Sequence, residues 1–306
     1  MRKSTIIVVG ALCILCCSAR DAFAWGPGVH IGLAESVWSQ LCMLPAAVAA
    51  ILARHRIPFL YGSVAADVVF AKRLSRVKQF CHHWSTAFGL LEAAETDRQK
   101  AFAYGYLSHL AADTVAHGKY VPRQIIVSNS PVNTGHLYWE LRADAACDRK
   151  THALLAEVLK ADHKDHHVML AGHLDGTLLP YDLNRMLFDR INAMTVRPAF
   201  RFSMDMLHRF GRHELSDVML AGYHNECVDR IRSILAEGPR SAVTKDDPNG
   251  TSALMRVAVE RREAKRRGGG RPTNHRDAEA AMAFAPTLVL PAGERTNANA
   301  TVLVTA

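Results

Sequence analysis

Beyond its extreme N-terminus the sequence has no apolar run approaching the ~20 residues that a membrane-spanning helix needs. Aromatic residues are few, at 7%. Alternating apolar and polar stretches of the strand type are rare, and no internal repeat is visible. Glycine and proline show no period, and the chain is 49% hydrophobic and 22% charged, which excludes collagen, a coiled coil and wholesale disorder. Once the first 24 residues are set aside, no C-x-x-C pair remains, which argues against a thiolate zinc site or a thioredoxin-like redox site. The four cysteines left are Cys42, Cys81, Cys147 and Cys227. They allow three ways of forming two disulfides, among which sequence does not choose.

What is present begins with an export pattern. Arg2 and Lys3 precede an apolar run from Thr5 to Cys17, and Ala22-Phe23-Ala24 follows as an A-x-A cleavage site. Residues 1–24 therefore read as a signal peptide, and the protein as secreted or periplasmic, with Trp25 as its mature N-terminus. Cleavage removes three cations and one acid, taking the formal net charge from +8 to +6. Much of that excess sits between Arg256 and Arg271 and reads as a solvated basic linker. No transmembrane segment is expected after processing, and no stable nucleic-acid partner.

Between about residues 28 and 237 apolar residues recur at three- and four-residue spacing. The pattern predicts helices over Val29–Leu41, Pro45–His55, Trp84–Ala94, Arg98–Tyr120, His136–Ala161, Asp182–Met194, Met204–Phe210 and Ser216–Ala236. Pro58, Gly62 and Pro131 read as turns. The fold class is all-α: one compact multi-helix domain over 25–237, followed by a low-order tail over 238–306 with one short helix near Leu254–Arg266.

Sixteen histidines is a high count, and they lie inside the periodic segments rather than in a tag. The densest pattern is His109, Asp113 and His117, at i, i+4 and i+8 of one predicted helix. These share a face, drifting only ~40° per step of four. Polar side chains on a buried stripe need partners, and imidazole and carboxylate are the usual nitrogen and oxygen ligands of zinc. At 1.5 Å rise per residue the two histidines lie ~12 Å apart along the axis, too far for one ion. The stripe therefore implies at least two metals, with Asp113 able to bridge them. Further fragments are His136 and Glu140 at i, i+4, the run Phe80-Cys81-His82-His83-Trp84, Asp67 in a small-residue segment, and Trp25 with His30 at the cleavage point.

Taken together, these fragments resemble the zinc-dependent phospholipase C family and its relatives, the fungal single-strand-specific nucleases. The resemblance runs from Trp25 to about Glu140, with a helical continuation to about 237. It implies three zinc ions per chain. Asp67, His82 or His83, His109 and Asp113 would hold the first; an H-x-W arrangement favours His82. His117, His136 and Glu140 would hold the second. The Trp25 amine and carbonyl, His30 and the bridging Asp113 would hold the third. It also implies a metal-activated water, with Asp67 and Asp113 as the catalytic carboxylates.

The expected activity is that of an exported phospholipase C acting on phospholipid at a membrane surface and releasing diacylglycerol and a phosphorylated headgroup. Glu140 in the second site resembles the phospholipase branch. The alternative is a single-strand-specific nuclease or nucleotidase, for which Trp84, Tyr138 and Trp139 are candidate stacking surfaces. Gly28 and Val68 stand where the family has an acid and an aromatic, which puts a choline preference in doubt. The i+8 spacing of His117 is tighter than in either branch.

Overall fold

The computed structural model describes residues 25–69, 80–174, 177–211, 213, 215–266 and 281–287. The expected signal segment, 1–24, lies outside the described residues. Among the described residues the architecture is all-α, with no strand. Among the described residues no helix is long and apolar enough to cross a membrane.

In chain order the helices are α1 (Pro27–Trp38), α2 (Ala46–Arg54), α3 (Arg56–Ala65), α4 (Trp84–Glu92), α5 (Asp97–Val115), α6 (Val121–Ser128) and α7 (Val132–Ala145). They continue with α8 (Arg149–Lys160), α9 (Lys164–His173), α10 (Tyr181–Thr195), α11 (Pro198–Phe210), α12 (Asp217–Glu237) and α13 (Thr251–Arg266).

The central element is α5. It opens with a capping box, in which Thr96 accepts from the Gln99 amide and the Gln99 side chain accepts from the Thr96 amide. From Ala101 to Val115 every residue but Tyr104 is buried, because other helices surround it: α3 most extensively, with α12 and α4 also against it.

The α3 contact corrects the expected turns at Pro58 and Gly62, which both lie inside α3. Pro58 is the third helical residue, where a backbone N–H has no intrahelical partner to lose. Gly62 is a crossing point. A Cβ there would sit 2.0 Å from the Phe102 carbonyl oxygen, and one on Gly105 would sit 2.0 Å from that of Phe59. The two glycines face each other, backbone on backbone. This crossing brings Ser63 on α3, and Asp67 in the 3₁₀ turn that follows it, beside His109 on α5.

The helices also divide differently from the expectation. The predicted helix His136–Ala161 is two helices, α7 and α8, with Asp148 capping the second by accepting from the Thr151 amide at 2.7 Å. The helices α6 and α9 were not foreseen. Pro131 precedes α7 directly, as its N-cap. The cysteines Cys42, Cys81, Cys147 and Cys227 are free thiols.

The described part of 238–306 is folded onto the rest. α13 packs on α6 and on the turn after α5. Farther on, the Tyr223 hydroxyl donates to the Phe284 carbonyl at 2.7 Å, and the Thr287 amide donates to Glu226 at 3.0 Å. Lys119 pairs with the same Glu226 at 2.6 Å.

Candidate metal centre

Among the described residues three groups of side chains are close enough to hold an ion: His30, His109 and Asp113; Asp67, His82 and His109; and His117, His136 and Glu140. All eight residues are buried. They come from α1, the 3₁₀ turn after α3, the turn before α4, α5 and its extension, and α7.

Asp113 is the hub. Its Oδ1 lies 3.4 Å from His30 Nε2. Its Oδ2 lies 3.1 Å from His109 Nε2, 3.2 Å from His82 Nε2 and 4.0 Å from His117 Nε2. Asp67 reaches the same space, with Oδ1 3.3 Å from His82 Nε2 and Oδ2 3.9 Å from His109 Nε2. The two imidazole nitrogens of His82 and His109 face each other at 3.2 Å. Ligands of a tetrahedral zinc at ~2.0–2.1 Å stand about 3.3 Å apart, so most of these separations are those of a zinc shell.

Donor chemistry agrees with the spacing. His109 Nδ1 lies 2.8 Å from the Ser63 carbonyl oxygen. That nitrogen carries a proton, so in the neutral ring Nε2 is the lone pair aimed at the cluster. His82 Nδ1 sits 3.3 Å from Cys81 Sγ, with Nε2 likewise inward. Among the described residues, Asp113 Oδ1, Asp113 Oδ2 and His30 Nε2 make no hydrogen bond of normal geometry, although all three atoms are fully buried. Such atoms are costly unless a cation meets them.

Burial alone would raise the Asp113 carboxyl, but His109, His30 and His82 hold it well below the usual carboxylate range. Burial, followed by neighbouring His109, pushes His30 below 6.5. Ionised carboxylate and neutral imidazole are the forms that bind metal. The residues fit zinc on these grounds.

The third group depends on a change of helix type. After Val115 the backbone continues as a π-helical turn, Ala116–Tyr120. The turn re-aims His117 away from the strict i+8 direction, a recurrent use of π-helix at functional sites. The His117 ring reaches that of His136 with centroids 4.9 Å apart. His136 Nε2 is 2.8 Å from Glu140 Oε1. The stripe on α5 is thus divided between groups, as its axial length requires.

His82 stands in the cluster. His83 is half-buried at the N-cap of α4 and belongs to none of the three groups. The Trp25 side chain is fully buried, stacked on Tyr120 at 4.5 Å and edge-on to His224 at 5.6 Å. Its backbone precedes the α1 turn that delivers His30.

Several supporting residues were not foreseen: the Ser63 carbonyl, the Cys81 thiol, Asp144, which accepts from the Gly28 and Val29 amides, and Asn249, whose amide reaches the His82 carbonyl at 3.4 Å. Asp144 had one visible signal, since it continues the His136 and Glu140 spacing by four. Of the candidate stacking surfaces, Trp139 is buried with its indole donating to Ser128, and Trp84 donates to the Asp246 carbonyl. Tyr138 is half-buried and accepts from Arg142.

Residues 29–177 match the family model described as zinc dependent phospholipase C. No curated protein and no solved structure matches the chain.

Proposed function

We propose, from the chain's membership over residues 29–177 in the zinc-dependent phospholipase C family, that it is an exported phosphodiesterase cleaving glycerophospholipids to diacylglycerol and a phosphorylated headgroup. The observation that carries the reading is Asp113, a buried carboxylate with one oxygen facing His30 and the other facing His82 and His109.

In this reading three zincs bind. Asp67, His82, His109 and Asp113 would hold one, His117, His136 and Glu140 a second, and His30, Asp113 and the Trp25 amine and carbonyl a third. Bound zinc would acidify water, lowering its pKa toward ~7, and offset charge growing on the phosphoryl oxygens. Asp113 holds two groups at a fixed separation through its two oxygens. Asp67 is the second carboxylate of the cluster and would orient the attacking water and take its proton. The Ser63 carbonyl keeps His109 in the tautomer that offers Nε2. Arg2, Lys3 and the A-x-A sequence before Trp25 support export to a secreted or periplasmic location.

The lipid substrate is supported over single-stranded DNA by Glu140 and by the burial of Trp139, which is unavailable for base stacking. Protein processed at Ala24, assayed on mixed glycerophospholipid vesicles and on single-stranded DNA, tests this. Diacylglycerol release is expected; DNA cleavage without lipid turnover overturns the lipid reading.

A further inference from the structure

The first turn of α1 is gripped from outside by one carboxylate. Asp144 Oδ1 accepts from the Gly28 amide at 2.7 Å and from the Val29 amide at 3.2 Å. These are amides that an α-helix leaves unpaired at its start. The side chain is buried, so no bulk water stands ready to replace it.

The grip is close. A Cβ on Gly26 would lie 2.3 Å from Asp144 Cγ, and one on Gly28 would lie 2.8 Å from Asp144 Oδ1. Glycine on both sides of Pro27 is what lets the carboxylate reach the backbone. On α7, Asp144 lies four residues beyond Glu140 and eight beyond His136. The helix that presents one pair of candidate ligands therefore also holds the backbone that presents His30. One residue before Gly26 stands Trp25; two residues after Gly28 stands His30, 3.4 Å from Asp113.

We infer that Asp144 is a positioning residue for the N-terminal metal site, setting His30 and the backbone of Trp25 against Asp113. This rests on the three-zinc reading above. It acts through the Gly28 and Val29 amides and touches neither metal nor substrate.

The test counts zinc per chain in protein processed at Ala24, at one fixed free-zinc concentration, with circular dichroism reporting the fold. The wild type should hold three. Asp144→Ala should hold two, matching His30→Ala, with its third zinc bound at least tenfold more weakly. Asp144→Asn keeps an oxygen for both amides and should return the count to three.

Should Asp144→Ala fail to fold, Gly28→Ala carries the test, since its methyl displaces the carboxylate; it should also hold two. Three zincs in folded Asp144→Ala, or in Gly28→Ala where the alanine at 144 does not fold, overturn the inference alone, even if the melting temperature falls. Fewer than three in the wild type overturns the three-zinc reading and the inference with it.

Discussion

His109 Nδ1 stands 2.8 Å from the Ser63 carbonyl oxygen, so His109 donates there, and its Nε2 faces Asp113 at 3.1 Å. The link joins the Gly62–Gly105 helix crossing to the candidate metal centre: the same contact that packs α3 on α5 sets the tautomer of a ligand.

Asp113→Asn is the first prediction. An amide is isosteric but presents one N–H₂ group where a second acceptor oxygen stood, so it cannot serve His30 and the His82/His109 pair alike. Zinc content should fall by at least one per chain. Phosphodiesterase kcat/KM should fall by about 10³-fold or more, in line with losing a major electrostatic contribution to the transition state. Metal analysis and steady-state kinetics on the same preparation check both.

The α3–α5 crossing predicts stability. At Gly62 or Gly105 an alanine methyl would meet a carbonyl oxygen at 2.0 Å. Backbone cannot yield as a flexible side chain can. Gly62→Ala or Gly105→Ala should cost about 3 kcal/mol or more, at the upper end for overpacked cores. Urea denaturation measures it, and the same variants should bind zinc more weakly because Ser63 and Asp67 shift.

A third prediction concerns the segment after α12. Gly250 has φ +58°, and a Cβ there would lie 2.4 Å from the His117 Cβ. Asn249 beside it reaches the His82 carbonyl. The turn thus rests on residues of two groups. Gly250→Ala should destabilise by about 1–3 kcal/mol from backbone strain and crowding. A chain ending at 237 should bind zinc less tightly than the full one. Thermal melts and competitive zinc titration read the two effects.

Much of this site is legible in sequence because its logic is local. His109, Asp113 and His117 recur every four residues, and 3.6-residue helix geometry puts them on one face whatever surrounds them. His136 with Glu140 follows the same rule. What was hidden depends on distant partners. Gly62 looks like a turn until Phe102 arrives against it. Asp144 acts on amides 116 and 115 residues away. The π-helical turn that aims His117 has no compositional signature. The break between α7 and α8 could have been read, since Asp148 and Thr151 form a cap, but the apolar period runs through it.

Acid stability supplies the fourth prediction. His224, edge-on to Trp25, is lowered by burial to about 4 from 6.5. A histidine with a depressed folded value binds fewer protons folded than unfolded between those limits. Stability from this group is therefore full above about 6.5 and is lost as pH falls toward 4. The loss is on the order of 3 kcal/mol. Asp144 works in the opposite sense, since burial raises it to about 6 against the pull of the Val29 and Gly28 amides. Burial likewise lowers His166 to about 3 and His167 to about 4, which outweighs Asp144, so melting temperature should fall on acidification below 6.5, and His224→Gln should flatten that slope.

The most direct measurement is anomalous diffraction at the zinc edge from crystals of the protein processed at Ala24. The account predicts three peaks. One lies among Asp67, His82, His109 and Asp113, one among His117, His136 and Glu140, and one between His30, Asp113 and the Trp25 backbone. A map with no peak beside Asp113, or with zinc bound only elsewhere on the molecule, would contradict it.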